Sequence, residues 1–158
     1  MSKLKSLVVN GFVFFIVVVL YTVSPAHGGQ KDYIGLEYGP VGCSGVTTLF
    51  GGKQFNELLA GRWSTAVDSS SCMRNDKRVI IESLYSAGMV LRLPLTGSFY
   101  VKGGVNYAVL GRVNDSSFSG LSYNVGFDYQ YLEALGFTFT FGKIGDINTM
   151  NAGVTITY

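Results

Sequence analysis

Two cysteines, one histidine, a run of serines and a scatter of charges are the residues of this 158-residue chain that could do chemistry. Cys43 and Cys72 can form a disulfide in an oxidising compartment or serve as metal ligands. With no histidine near either, they fall short of the four ligands of a tetrahedral metal site, so a disulfide is expected and no metal or other cofactor. Cys43 also lies well beyond the apolar N-terminal run, which argues against a lipid-anchored cysteine. Acyl chemistry would need a nucleophile activated by a base. His27 is the sole histidine, stands ahead of the first expected strand and reads as a terminal residue. Ser69, Ser70 and Ser71 read as a solvated loop. No catalytic residue is assigned, and the chain is expected not to be an enzyme.

The remaining candidates are Glu37, Arg62, Glu82, Arg92, Lys102 and Asp128. Each stands in a stretch of alternating polar and apolar residues, so its meaning depends on the element that carries it.

Hydrophobic residues make up 47% of the chain and charged residues only 14%, lean in charge for a soluble domain, where roughly a quarter is usual. The net charge is +2, with no basic cluster interleaved with aromatics, and nucleic acid is not an expected partner. Lys3 and Lys5 precede an apolar run over residues 7–23, followed by Ser24, Pro25 and Ala26. This is the pattern of a cleavable export signal, residues 1–26, with an uncleaved anchor as the alternative, leaving residues 27–158 as one domain. Beyond Ala26 no apolar stretch is long enough for a membrane helix, so any later crossing must be made by strands.

A strand crossing requires a closed barrel, and its sequence mark is dyad alternation over about ten residues. Residues 121–131 show it: Leu121, Tyr123, Val125, Phe127, Tyr129 and Tyr131 share one face, Ser122, Asn124, Gly126, Asp128 and Gln130 the other. Residues 98–110, 137–142 and 151–158 behave alike, and 33–38, 46–54, 58–66 and 79–93 are less regular but legible. The expectation is an all-β, eight-stranded antiparallel up-and-down transmembrane barrel. Connections at 55–57, 94–97 and 132–135 read as short turns, and those at 39–45, 67–78, 111–120 and 143–149 as longer polar loops, the asymmetry of outer-membrane barrels. Cys43 and Cys72 fall in the first two long loops. A soluble eight-stranded barrel shares the strand count and would turn the apolar face inward.

In the membrane reading, Glu37, Arg62, Lys102 and Asp128 lie about four to six residues from the short-turn ends, on the face away from lipid. They are expected to share one layer of the lumen, with Arg92 lower and Glu82 higher. Opposite charges there offset one another's desolvation, and an eight-stranded barrel is just wide enough for side chains to fill it.

The chain resembles the outer membrane protein A-like and opacity-type eight-stranded barrels. The residues that carry the resemblance are Tyr33-Ile34-Gly35-Leu36-Glu37-Tyr38-Gly39, Leu49-Phe50-Gly51-Gly52-Lys53-Gln54-Phe55-Asn56, Leu93-Pro94-Leu95, Tyr100-Val101-Lys102-Gly103-Gly104-Val105 and Gly145-Asp146-Ile147-Asn148. Val154, Ile156 and Tyr158 resemble the terminal signal read by the barrel-assembly machinery, although Phe is the commoner last residue. The sequence departs from the full-length relatives in having no periplasmic peptidoglycan-gripping domain after the barrel, so cell-wall anchoring is not carried over.

The resemblance implies the outer membrane of a Gram-negative bacterium, contact with lipid and lipopolysaccharide, and a surface barrel that acts in envelope integrity or adhesion through four loops toward a host or environmental ligand. The alternatives are a small pore and a lipid-modifying enzyme. The only charge run, Arg74, Asp76, Lys77 and Arg78, reads as a solvated face able to touch anionic sugars.

Overall fold

Alternating residues from Asp32 to Thr157 form, in the computed structural model, an antiparallel sheet closed on itself. The structure describes residues 31–74 and 77–158. The export segment with its expected cleavage point after Ala26, His27, and Asp76 of the charge run lie outside the described residues.

The strands are β1 (Asp32–Val41), β2 (Ser44–Gln54), β3 (Leu59–Ala66), β4 (Ser70–Arg74), β5 (Lys77–Thr96), β6 (Phe99–Val113), β7 (Phe118–Gln130), β8 (Leu135–Ile144) and β9 (Ile147–Thr157). β1 pairs with β9 from Tyr33↔Thr157 to Val41↔Thr149, which closes the tube. β3 and β4 both pair with β5, β3 along its middle and β4 along its outer end, so they share one position and the barrel has eight. Closure pairs the ends of the sheet, which is what a strand structure in hydrocarbon requires.

The connections correct the expected asymmetry. Residues 39–45, 111–120 and 143–149, expected as long loops, are mostly strand. The turns shrink to Gly42 and Cys43, residues 114–117, and Gly145 and Asp146. Gly42 (φ 66°) and Gly145 (φ 60°) each open a two-residue turn, the arrangement that a type II′ hairpin demands of its first position. Among the described residues, only the stretch that follows Ala66 departs from a tight turn, and its Ser70–Arg74 part folds back as β4. At the opposite end the turns are residues 55–58, Gly97 with Ser98, and 131–134.

Along the middle of the barrel the outward face is apolar. Leu36, Tyr38, Val105, Tyr107, Leu121, Tyr123, Val125, Phe127, Phe137, Phe139, Phe141, Val154 and Ile156 are all exposed. Phe99, Phe127, Phe139 and Phe141 form a continuous ring cluster with centroids 5.8–6.5 Å apart across β6, β7 and β8. From Tyr123 to Tyr131 is eight residues, or about 26 Å of strand at ~3.3 Å each. At a tilt of about 40° this gives a band of ~20 Å, close to the apolar belt of membrane barrels.

Inward positions alternate small and large. A Cβ on Gly35 would meet Val154 O at 2.3 Å and the Phe50 ring at 2.5 Å, and one on Gly153 would meet Leu36 O at 2.3 Å and Glu37 Cβ at 2.7 Å, so these glycines let the neighbouring backbone and side chains approach closely.

Candidate functional site

The lumen brings five of the charges together, and it is built from alternate residues of neighbouring strands. Glu37 on β1 and Arg62 on β3 flank β2; Arg62 Nη2 donates to Glu37 Oε1 at 2.7 Å, with Glu37 buried and Arg62 largely so. The Arg62 guanidinium also lies 4.2 Å from the Phe50 ring centroid, a cation–π contact that holds it across the tube.

The second group centres on Asp128 of β7. Lys102 Nζ on β6 donates to Asp128 Oδ1 at 2.6 Å and to Thr138 Oγ1 on β8. Arg92 Nε on β5 lies 3.1 Å from Asp128 Oδ2, and its guanidinium packs 4.6 Å from the Tyr100 ring centroid. Lys102 and Arg92 are register partners, so one carboxylate answers two cations on adjacent strands. Arg62, Arg92, Lys102 and Asp128 border one cavity of about 40 Å³ toward the turns at 55–58, 97–98 and 131–134, while Glu37 faces another of about 50 Å³ with Arg62. Both spaces are of water size.

Glu82, expected higher in the lumen, is a correction: it is exposed. The ladder between β5 and β6 slips between Ile81 and Ser83, leaving Glu82 as the extra residue of a bulge. A bulge reverses which parity faces inward, so Ile81, 2% exposed, takes the interior place that simple alternation gives to Glu82.

Above the charges the interior changes character. Val41, Val46, Ile81, Leu84, Leu110 and Ile147 form a buried apolar cluster, with Ala66, Phe118 and Ile144 packed against it. Leu110 is fully buried. This second filling was missed by sequence reasoning because much of it comes from residues assigned to loops. Two signals could have found it: Gly42 and Gly145 as first residues of two-residue turns, and apolar Val41, Ile144 and Ile147 beside them.

No protein-family model and no curated protein sequence matches the chain. Solved structures do. The N-terminal β-barrel domain of Pseudomonas aeruginosa OprF is 13% identical, with 81% of this chain and 97% of that one covered at a TM-score of 0.55. OprG, an outer membrane protein of the same organism, is 12% identical, with coverages of 82% and 96% and a TM-score of 0.52. The chain has the fold of an eight-stranded outer-membrane β-barrel. A de novo designed transmembrane β-barrel is as similar, 10% identical over 86% of this chain and all of that one at a TM-score of 0.52. Sharing the fold with a designed protein, the outer-membrane-type barrel must have its role argued from its own residues.

In a barrel of this fold the Cys43–Cys72 disulfide occupies a specific place. The β2–β3 ladder reaches Thr48↔Ala66 and is extended by a bond from Val67 N to Thr47 O; beyond it, β4 rather than β3 faces the outer end of β2. The disulfide spans that seam, with Cα atoms 5.8 Å apart. Val154 and Ile156 face outward on β9, and Tyr158 exchanges backbone hydrogen bonds with Asp32 at 2.9 and 3.0 Å, tying the chain end to β1. Ser70 and Ser71 stand on β4, and Ser71 Oγ accepts from the Arg78 guanidinium at 3.3–3.4 Å.

Proposed function

We propose that the chain is a non-enzymatic surface barrel of the Gram-negative outer membrane, a closed scaffold that strengthens the envelope and presents its outer turns to the medium. The observation that carries this reading is the filling of the lumen at two levels, charged toward one end and apolar toward the other, inside a tube whose exterior is apolar over its middle. A filled tube supports a scaffold role over a pore, because ions would have to cross both the paired charges and the apolar cluster.

The serine chemistry points the same way. A guanidinium is donor-only, so Arg78 engages a lone pair of Ser71 and cannot take its proton. Lipid and lipopolysaccharide are the contacts of the apolar exterior. In this reading Val154, Ile156 and Tyr158 serve as the signal for barrel assembly, and residues 1–26 as the export signal removed on the way.

Orientation and location are tested by single added cysteines. A Cβ at Gly97 meets nothing within 4 Å, and Ser116 is exposed in the turn after β6, so both sites tolerate the change. Expected in intact cells is labelling of Ser116→Cys by a membrane-impermeant maleimide, with Gly97→Cys labelled only after permeabilisation. The reverse pattern, or equal labelling of both, would contradict the proposal.

A further inference from the structure

The charges of the lumen do not balance. Arg62 and Glu37 cancel as a pair, but Asp128 alone answers both Arg92 and Lys102. Three cations against two carboxylates leave this layer with one positive charge, and a charge held away from bulk water is costly until something compensates it.

The cavity of about 40 Å³ lies on the side of that surplus. Arg62, Arg92, Lys102 and Asp128 are the charged residues on its wall, while Glu37 lines the neighbouring cavity instead. Water reaches Arg92, whose side chain is 20% exposed, far more than Lys102, at 3%. The hydroxyls of Thr155 and Thr157 on β9 stand on the same wall and can donate. Glu57 and Glu133 sit in the turns at this end, but both are exposed to water that screens them, and neither lines the cavity.

The surplus and the size of the space together select a ligand. A cation is repelled, and a neutral molecule leaves the surplus uncompensated. About 40 Å³ holds a few bodies of water size and excludes a sugar acid or a phosphate ester. We propose that this cavity binds one small monovalent anion, chloride or an ion of similar size, held chiefly by Arg92. The proposal goes beyond the surface-barrel reading and is independent of which way the barrel faces, so it can fail while the cysteine labelling succeeds.

The test is chlorine NMR of the purified full chain, folded in an uncharged maltoside detergent, with sodium gluconate keeping the ionic strength constant. Chloride that exchanges with a bound site gives a broadened line. Expected is broadening that bromide and nitrate reverse, and that gluconate, too large for the cavity, does not. Arg92→Gln removes the surplus and should reduce the broadening about tenfold. Arg78→Gln removes an equal charge from the exposed outer end and should leave the broadening unchanged. If Arg92→Gln fails to fold, Thr157→Asp adds a carboxylate to the cavity wall and should act alike. The site would be overturned by absence of broadening, by reversal with gluconate, by an equal fall in Arg78→Gln, or by broadening that survives in folded Arg92→Gln or Thr157→Asp.

Discussion

Toward the turns at 55–58, 97–98 and 131–134 the barrel interior holds Arg62, Arg92, Lys102, Glu37 and Asp128; toward the opposite, outer turns it holds Val41, Val46, Ile81, Leu84, Leu110 and Ile147. The exterior changes in the opposite sense. Around the charged section the outward residues are Phe127, Phe137, Phe139, Val154 and their neighbours, whereas near the outer turns Ser71, Arg78, Glu82, Ser119 and Asn148 are exposed beside Val67 and Met73. The tube is thus apolar outside and polar inside where lipid would surround it, and apolar inside with a mixed outside toward the other turns. One continuous sheet does both because the side-chain period is two and a single bulge suffices to change parity on a strand. The difference gives each half its own source of stability.

In the charged half, single removal should cost most. Arg62→Leu or Glu37→Leu leaves a buried partner uncompensated and is expected to lower stability by about 3–5 kcal/mol, while the double variant costs less than either single change. Urea unfolding of the detergent-folded chain measures all three, and additive losses would show that the pair is not a coupled unit. In the apolar half, Leu110→Ala should cost about 2–5 kcal/mol through lost burial and the cavity left behind. A negligible cost there would mean that the cluster is not packed as a core.

Replacing both cysteines by serine removes the link across the β2–β4 seam and should cost about 2–4 kcal/mol. The loss is expected to concentrate in the outer half, seen as faster amide exchange in β4 and the outer end of β2 but not in β8. Uniform exchange would argue against two separately stabilised halves. The smallest effect belongs to Glu82→Gln, exposed on its bulge, which should change stability by less than about 0.5 kcal/mol. A loss of several kcal/mol would place its carboxylate in the lumen after all.

Much of the charged half was legible in the sequence. Alternation in residues 98–110 and 121–131 sends Lys102 and Asp128 to one face, and register then decides that they meet. Arg92 was read as lying below the others because its strand was expected to end at Leu93; β5 runs on to Thr96, which sets Arg92 opposite Lys102. The apolar half was far less legible. Val41 and Ile147, with Ile144 and Phe118 packed against the cluster, come from strand ends that neighbouring glycines and polar residues make look like loops, and only Gly42 and Gly145 mark the tight turns between them. Glu82 was misplaced because a bulge is a property of two paired strands, and one strand read alone gives no sign of it.

The central claim is that lipid lies against the outward face of this barrel, and Trp63 reports on it directly. It is the sole tryptophan and stands next to inward Arg62 on β3, over Gly51, whose added Cβ would meet the indole at 2.6 Å. The measurement is Trp63 fluorescence of the full chain reconstituted in vesicles whose acyl chains carry bromine. Strong quenching relative to unbrominated vesicles is the predicted result; a chain that stays folded in water without detergent, its tryptophan unquenched by those vesicles, would contradict the account.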